Sequence, residues 1–214
     1  MKPAHPVNKN RPRVKICGIT NLVDAEEAVQ CGADALGFVF HKASPRYISP
    51  ADAGAIVKRL PPFVNMAGVF VNVAPREALE TARIALIDTV QFHGDEAPDS
   101  CMEVMESGYK VLKAVRVKDR ESLHALSGYS FVNGILLDSY SREVYGGSGE
   151  KFDWTLAREA GKFGRIILAG GLNPGNVAEA IREAEPYGVD VSSGVEKSPG
   201  IKDHGKLRDF FEAI

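Results

Sequence analysis

The sequence predicts a single (β/α)8 barrel of parallel strands, and three observations carry that prediction. Short β-branched runs alternate with helical patterns at an average spacing of about 25 residues, the signature of βα units built around a parallel sheet. Eight such runs follow Arg13, with no composition shift between them. The last two, Ile166-Ile167-Leu168-Ala169-Gly170-Gly171-Leu172-Asn173 and Val189-Asp190-Val191-Ser192-Ser193-Gly194-Val195-Glu196, each run into a Gly- or Ser-rich turn, where barrels of this class hold phosphate. An open doubly wound sheet is the competing architecture. It would carry one glycine-rich fingerprint after its first strand, and Cys17-Gly18-Ile19-Thr20 lacks that pattern.

The elements follow in order. Val14-Lys15-Ile16-Cys17 is the first strand, and the helix after it covers about Asp24 to Cys31, with Asn21 as its cap and Asp24 three positions on. Ala35 to Phe40 is the second strand, followed by a helix that Pro50 opens as a first-turn residue. Asn65 to Val71 is the third, with Pro75 opening its helix, and Thr89 to Phe92 is the fourth. Tyr109 to Val115 and Gly134 to Leu137 are the fifth and sixth, and the two glycine-rich strands complete the set.

Residues 13–214 therefore form one catalytic barrel domain, and the polar, proline-bearing residues 1–12 read as a flexible tail. Cys17, Cys31 and Cys101 form no CxxC pair and no even set, which points to a reduced, cytoplasmic setting. A net charge of −2, from 26 basic and 28 acidic residues, gives no basic field for nucleic acid. No apolar run reaches the roughly 20 residues that span a bilayer. No large apolar helix face is left exposed, so a monomer is expected.

Side chains at the C-terminal ends of barrel strands face the active site, and a short list of polar residues occupies those positions. The paired turns at Gly170, Gly171, Ser192, Ser193 and Gly194 offer free backbone N–H groups, a nest for a phosphate dianion; Asp190 is counted with this phosphate-binding group. Either motif alone also reads as a tight strand-to-helix turn. Cys17 reads either as a small buried hydrophobe or, just before a helix whose N–H dipoles favour a thiolate, as a nucleophile or base. Asp138, after Ile135-Leu136-Leu137, reads as a turn cap or as a desolvated carboxyl that holds a proton to donate. Arg46 is either a solvated arginine or a bidentate clamp for a substrate carboxylate. Gln91 and His93 end the fourth strand as substrate-binding candidates. His93 has no partner at metal-ligand spacing, so no metal is expected.

Taken in order, Val14-Lys15-Ile16-Cys17-Gly18-Ile19-Thr20, Ala33-Asp34-Ala35-Leu36-Gly37-Phe38-Val39-Phe40, Ser44-Pro45-Arg46-Tyr47, Val90-Gln91-Phe92-His93-Gly94-Asp95-Glu96, Leu136-Leu137-Asp138, Gly146-Gly147-Ser148-Gly149 and the two glycine-rich strands resemble the phosphoribosylanthranilate isomerase family over nearly the whole chain. The resemblance implies a cofactor-free Amadori rearrangement of N-(5-phosphoribosyl)anthranilate to 1-(2-carboxyphenylamino)-1-deoxyribulose 5-phosphate in tryptophan biosynthesis. It implies Asp138 as general acid at the furanose oxygen, Cys17 as general base at C2 and Arg46 on the anthranilate carboxylate. The segment Ser139 to Tyr145 is expected to shape the aromatic pocket or act as a lid. Two rivals remain: the isomerase of histidine biosynthesis, whose two-aspartate design Cys17 opposes, and a catalytically silent sugar-phosphate sensor, which fold alone does not exclude.

Overall fold

A computed structural model describes residues 11–117, 119–139 and 154–214. Tail residues 1–10, most of the expected lid and the motif at 146–149 lie outside the described residues. Eight strands alternate with helices along the chain. They are β1 (Arg13–Cys17), α1 (Leu22–Cys31), β2 (Ala35–Val39), α2 (Pro50–Val57), β3 (Asn65–Phe70), α3 (Pro75–Ala85), β4 (Thr89–Phe92), α4 (Pro98–Glu106), β5 (Lys110–Val117), β6 (Gly134–Ser139), α5 (Trp154–Ala160), β7 (Ile166–Leu168), α6 (Val177–Ala184) and β8 (Gly188–Val191). Neighbouring strands pair in parallel, and β1 closes the barrel on β8 with Arg13 opposite Gly188 and Lys15 opposite Asp190.

Local chemistry sets the element boundaries. The Asn21 side chain accepts from the Asp24 N–H at 2.9 Å, the cap the sequence predicts, and Gly32 ends α1 in the left-handed region at φ 106°. Ser49 caps α2 in the same way, and Pro50, Pro75 and Pro98 occupy first turns, where a missing N–H costs nothing. At the bottom of the barrel one carboxyl or amide ties each of several strands to the next: Asp34 accepts from Val14 N, Asp88 from Met66 N and Asn133 from Val111 N, each within 2.9 Å. Arg11, placed in the tail by the sequence, is tied down at this face through Asp34 at 2.9 Å.

Alternation along the strands sorts the side chains. Val14, Ile16, Leu36, Phe38, Val90 and Phe92 face outward into the main core under the helices. A small inner cluster of Leu112, Ala114, Leu136, Ile167 and Ala169 fills the β5–β7 side of the barrel. The opposite side of the interior is polar, with buried Lys15, Thr89, Gln91 and Asp190. Sequence periodicity did not reveal this division, because neither half interrupts the outward apolar pattern.

Two connections differ from the regular βα expectation. Between β5 and β6 the chain forms a 3-10 segment over Glu121–Tyr129 instead of an α-helix. Ser127 there turns its hydroxyl onto the His124 carbonyl at 2.8 Å, the local bonding that competes with α-helical pairing. After β8, a 3-10 turn at Ser193–Val195 leads into a two-stranded hairpin, β9 (Glu196–Ser198) and β10 (Ile201–Lys202), before α7 (His204–Glu212). This hairpin carries Glu196 and Lys202 beneath the rim of the barrel.

Candidate active site

Cys17 ends β1 on the inward face. The N–H groups of Gly18 and Ile19 both donate to the Gly37 carbonyl at 2.9 Å, and α1 begins only at Leu22. The helix dipole invoked from the sequence is therefore not what faces the thiol. Burial pushes the Cys17 thiol up, while Lys15 draws it down, Asp190 pushes it up and Lys202 draws it down less strongly. Space around the sulfur depends on Gly37, where an added Cβ would meet Cys17 Sγ at 2.8 Å and Lys15 Cε at 3.0 Å.

Beneath the opening of β1 and β8 lies an ion network that the sequence reading missed. Lys202 Nζ donates to the Cys17 carbonyl at 2.5 Å and to Glu196 Oε1 at 3.0 Å. Glu196 in turn accepts two bonds from Arg46, from Nε at 2.9 Å and from Nη2 at 2.6 Å. Burial works to raise the Glu196 carboxyl, but the Arg46 fork and the Lys202 ammonium hold it below the usual carboxylate range. Burial draws the Lys202 ammonium below its ordinary value despite Glu196. Arg46 does point inward, its Cδ packed over Gly18, where a Cβ would come within 2.7 Å. One edge of its guanidinium is held by Glu196, so a substrate carboxylate would meet the other edge.

On the opposite side, β4 and β6 build a relay. The Gln91 amide nitrogen lies 3.0 Å from His93 Nδ1, and His93 Nε2 lies 3.2 Å from Asp138 Oδ2. With the amide donating to Nδ1, the ring proton sits on Nε2 and points at the carboxyl. His93 is thereby bonded to Asp138, a contact the sequence reading, which had it as a substrate-binding residue, did not anticipate. Asp138 is about one-third open to solvent, at 30 % of its side chain, so its surroundings are more polar than a closed apolar pocket.

The loops after β7 and β8 meet at the third part of the rim. Gly170 and Gly171 adopt φ of 81° and 69°, values that glycine reaches without strain. Gly194 packs against the other loop so closely that a Cβ would lie 1.8 Å from the Leu172 carbonyl oxygen. Asn173 and Asn176 pin the Gly171 carbonyl at 3.2 and 3.0 Å. Among the described residues, the N–H groups of Gly170, Gly171, Ser193 and Gly194 donate to no protein acceptor, and the buried Ser192 Oγ has no partner. Such a cluster of free donors suits an anion with several oxygens. Asp190, counted with this group from the sequence, turns its Oδ2 to Lys15 at 2.9 Å; its Oδ1 is buried without a partner. Among the described residues, no three His, Cys, Asp or Glu side chains gather as a metal site.

The family model for N-(5'-phosphoribosyl)anthranilate (PRA) isomerase matches residues 14–213. The chain belongs to this family. A curated N-(5'-phosphoribosyl)anthranilate isomerase of Trichlorobacter lovleyi is 53 % identical over 199 residues, covering 92 % of this chain and 95 % of the relative. The crystal structure of the Thermotoga maritima phosphoribosyl anthranilate isomerase superposes with a TM-score of 0.89 at 47 % identity, covering 95 % of this chain and 98 % of that one. A second solved isomerase, 44 % identical with a TM-score of 0.86 over the same shares of the two chains, is in complex with reduced 1-(o-carboxyphenylamino)-1-deoxyribulose 5-phosphate. The chain is an isomerase of tryptophan biosynthesis on the closed eight-stranded barrel that its sequence predicts.

Proposed function

We propose that this isomerase rearranges N-(5'-phosphoribosyl)anthranilate by proton transfers between Asp138, Cys17 and the sugar. One observation carries the reading: a cradle of unpaired donors shares a barrel mouth with a thiol on one side and a histidine-oriented carboxyl on the other. The phosphate sits on the Gly170, Gly171, Ser192, Ser193 and Gly194 loops, and the anthranilate carboxylate meets the open edge of Arg46. Anchoring both charged ends holds the intervening carbons in place, so remote binding supports the chemistry.

Asp138 delivers a proton to the furanose oxygen as the C1–O bond breaks and the anthranilate nitrogen lone pair forms the C1=N bond. His93 holds Oδ2, which leaves Oδ1 to carry the transferred proton. The Cys17 thiolate then takes the C2 proton, and the C2–H electrons form the C1=C2 bond of an enolamine. Loss of the C2 hydroxyl proton and protonation of C1 give the ketone.

The thiolate is the working form, and burial pushes the thiol up. The sign follows directly for the thiol: the thiolate fraction of Cys17, read as its alkylation rate, rises with pH by about tenfold per unit below its midpoint. The assay generates substrate in situ from anthranilate and phosphoribosyl pyrophosphate and follows the loss of anthranilate fluorescence. Turnover that survives in Cys17→Ser would remove Cys17 from the base role. Equal turnover of the histidine-pathway precursor would overturn the specificity.

Three unpaired cysteines support a reduced cytoplasmic setting. The expected monomer meets a contrary observation at the bottom of the barrel. Phe63 is 98 % exposed there, beside a cavity of about 510 Å³ that it lines with Asn65, Leu112 and Ile167. A solved structure 43 % identical with a TM-score of 0.83 is of monomers generated from a Thermotoga maritima isomerase that is described as dimeric. A ring exposed next to a cavity favours pairing through this face, a second reading that light scattering decides. Twice the 23.1 kDa chain mass is expected if it holds, and the single mass restores the monomer.

A further inference from the structure

Among the described residues, Lys15 is the buried lysine in the polar half of the barrel interior, and the reaction as derived gives it no part. It lies two residues before Cys17 on β1, so both side chains project from the same inward face. Its ammonium is 2.9 Å from Asp190 Oδ2, directly across the β1–β8 ladder, and both residues are more than nine-tenths buried. Its side chain bends toward the sulfur: the space above Gly37 is bounded at once by Cys17 Sγ and Lys15 Cε, 2.8 and 3.0 Å from an added Cβ. Packing alone would place an apolar residue there, since burying an ammonium is costly and Asp190 occupies only one of its three N–H donors.

We propose that Lys15 is a positioning residue for Cys17, its ammonium clamped by Asp190 as the fixed positive charge that stabilises the thiolate. The proposal rests on the reading of Cys17 as the general base. Four charged groups face Cys17. Lys15 comes from its own strand, Asp190 from β8, Lys202 from β10 through the Cys17 carbonyl, and Arg46 from the loop after β2. Lys202 and Arg46 are both bonded to Glu196, whose single carboxylate offsets one of their two charges. Among these groups Lys15 draws the thiol down most strongly, ahead of the opposing push from Asp190. Asp190 thus has a double effect: it fixes the ammonium and partly cancels it. Its other oxygen, Oδ1, is buried without a partner.

The test measures Cys17 directly, without turnover. In a Cys31→Ser background, the rate of iodoacetamide alkylation at Cys17, located by mass spectrometry, is followed against pH alongside kcat/KM. In Lys15→Met the alkylation midpoint is expected to move up by about 1 to 3 pH units, the range for loss of one close opposite charge. The kcat/KM profile against pH moves with it, KM stays within about twofold of the original, and Lys15→Arg restores part of the shift. Should Lys15→Met fail to fold because Asp190 is left unpaired, Lys15→Met/Asp190→Asn removes both charges. Its midpoint still rises, by less, because the pull of Lys15 exceeds the push of Asp190. A folded variant whose alkylation midpoint stays in place overturns the proposal and reduces Lys15 to a structural ion pair. A midpoint that rises while the kcat/KM profile does not move would instead remove Cys17 from the base role and leave the charge effect standing.

Discussion

Asp138→Asn and Cys17→Ser are each expected to lower kcat/KM by at least about 10²-fold, the low end for loss of a general acid or base. Asparagine is the same size as aspartate and its Oδ1 still accepts from His93 Nε2, so the relay from Gln91 stays assembled. What it lacks is an acidic proton to place on the furanose oxygen. Serine keeps the shape of Cys17 with a smaller atom, and Gly37 leaves room for it. Its hydroxyl, however, is far too weak an acid to supply an alkoxide base beside the Lys15 ammonium. Neither change touches the phosphate cradle or Arg46, so KM is expected to move far less than kcat. The fluorescence assay checks both variants. A loss below about tenfold in either, with the fold intact, would take the proton-transfer role away from that residue.

Gly194→Ala is expected to damage the phosphate end by geometry alone. Its Cβ would sit 1.8 Å from the Leu172 carbonyl oxygen and 3.0 Å from Asn173 Cβ, and the nearest obstacle is backbone that cannot rotate away. The loops after β7 and β8 must then separate, and the free N–H groups of Gly170, Gly171 and Ser193 no longer converge. Overpacking of this kind costs about 1–3 kcal/mol or more, which in a domain of this size lowers Tm by roughly 2–4 °C per kcal/mol. KM is expected to rise by about tenfold or more, since each charge-assisted hydrogen bond to phosphate contributes about 1.5–3 kcal/mol. The control is inorganic phosphate as a competitive inhibitor of the original protein. If Gly194→Ala keeps both KM and phosphate inhibition, the anion is held elsewhere.

Much of this was legible in the chain. The Asn21 cap, the prolines at 50 and 75 and the eight apolar runs each follow from short-range stereochemistry, and together they specify alternating strands and helices. Cys17, Asp138 and the two glycine-rich turns stood out because polar or flexible residues end apolar strands there, a local break in pattern. Lys15 was also visible, between Val14 and Ile16, yet nothing local says that the inward face of β1 is buried.

What the sequence by itself determined was the closed parallel barrel and which strand ends present polar or flexible residues, because side-chain period and turn stereochemistry act between neighbours in the chain. What only the tertiary structure decided was which charged groups meet which partners: Arg46 pairs with Glu196 across 150 positions and Lys15 with Asp190 across 175, and Lys202 donates to the Cys17 carbonyl across 185. Those pairings reset the expectations for Cys17 and Arg46. Ion pairs depend on distance and burial, and both are fixed only when β1 closes on β8 and the β9–β10 hairpin folds beneath the rim.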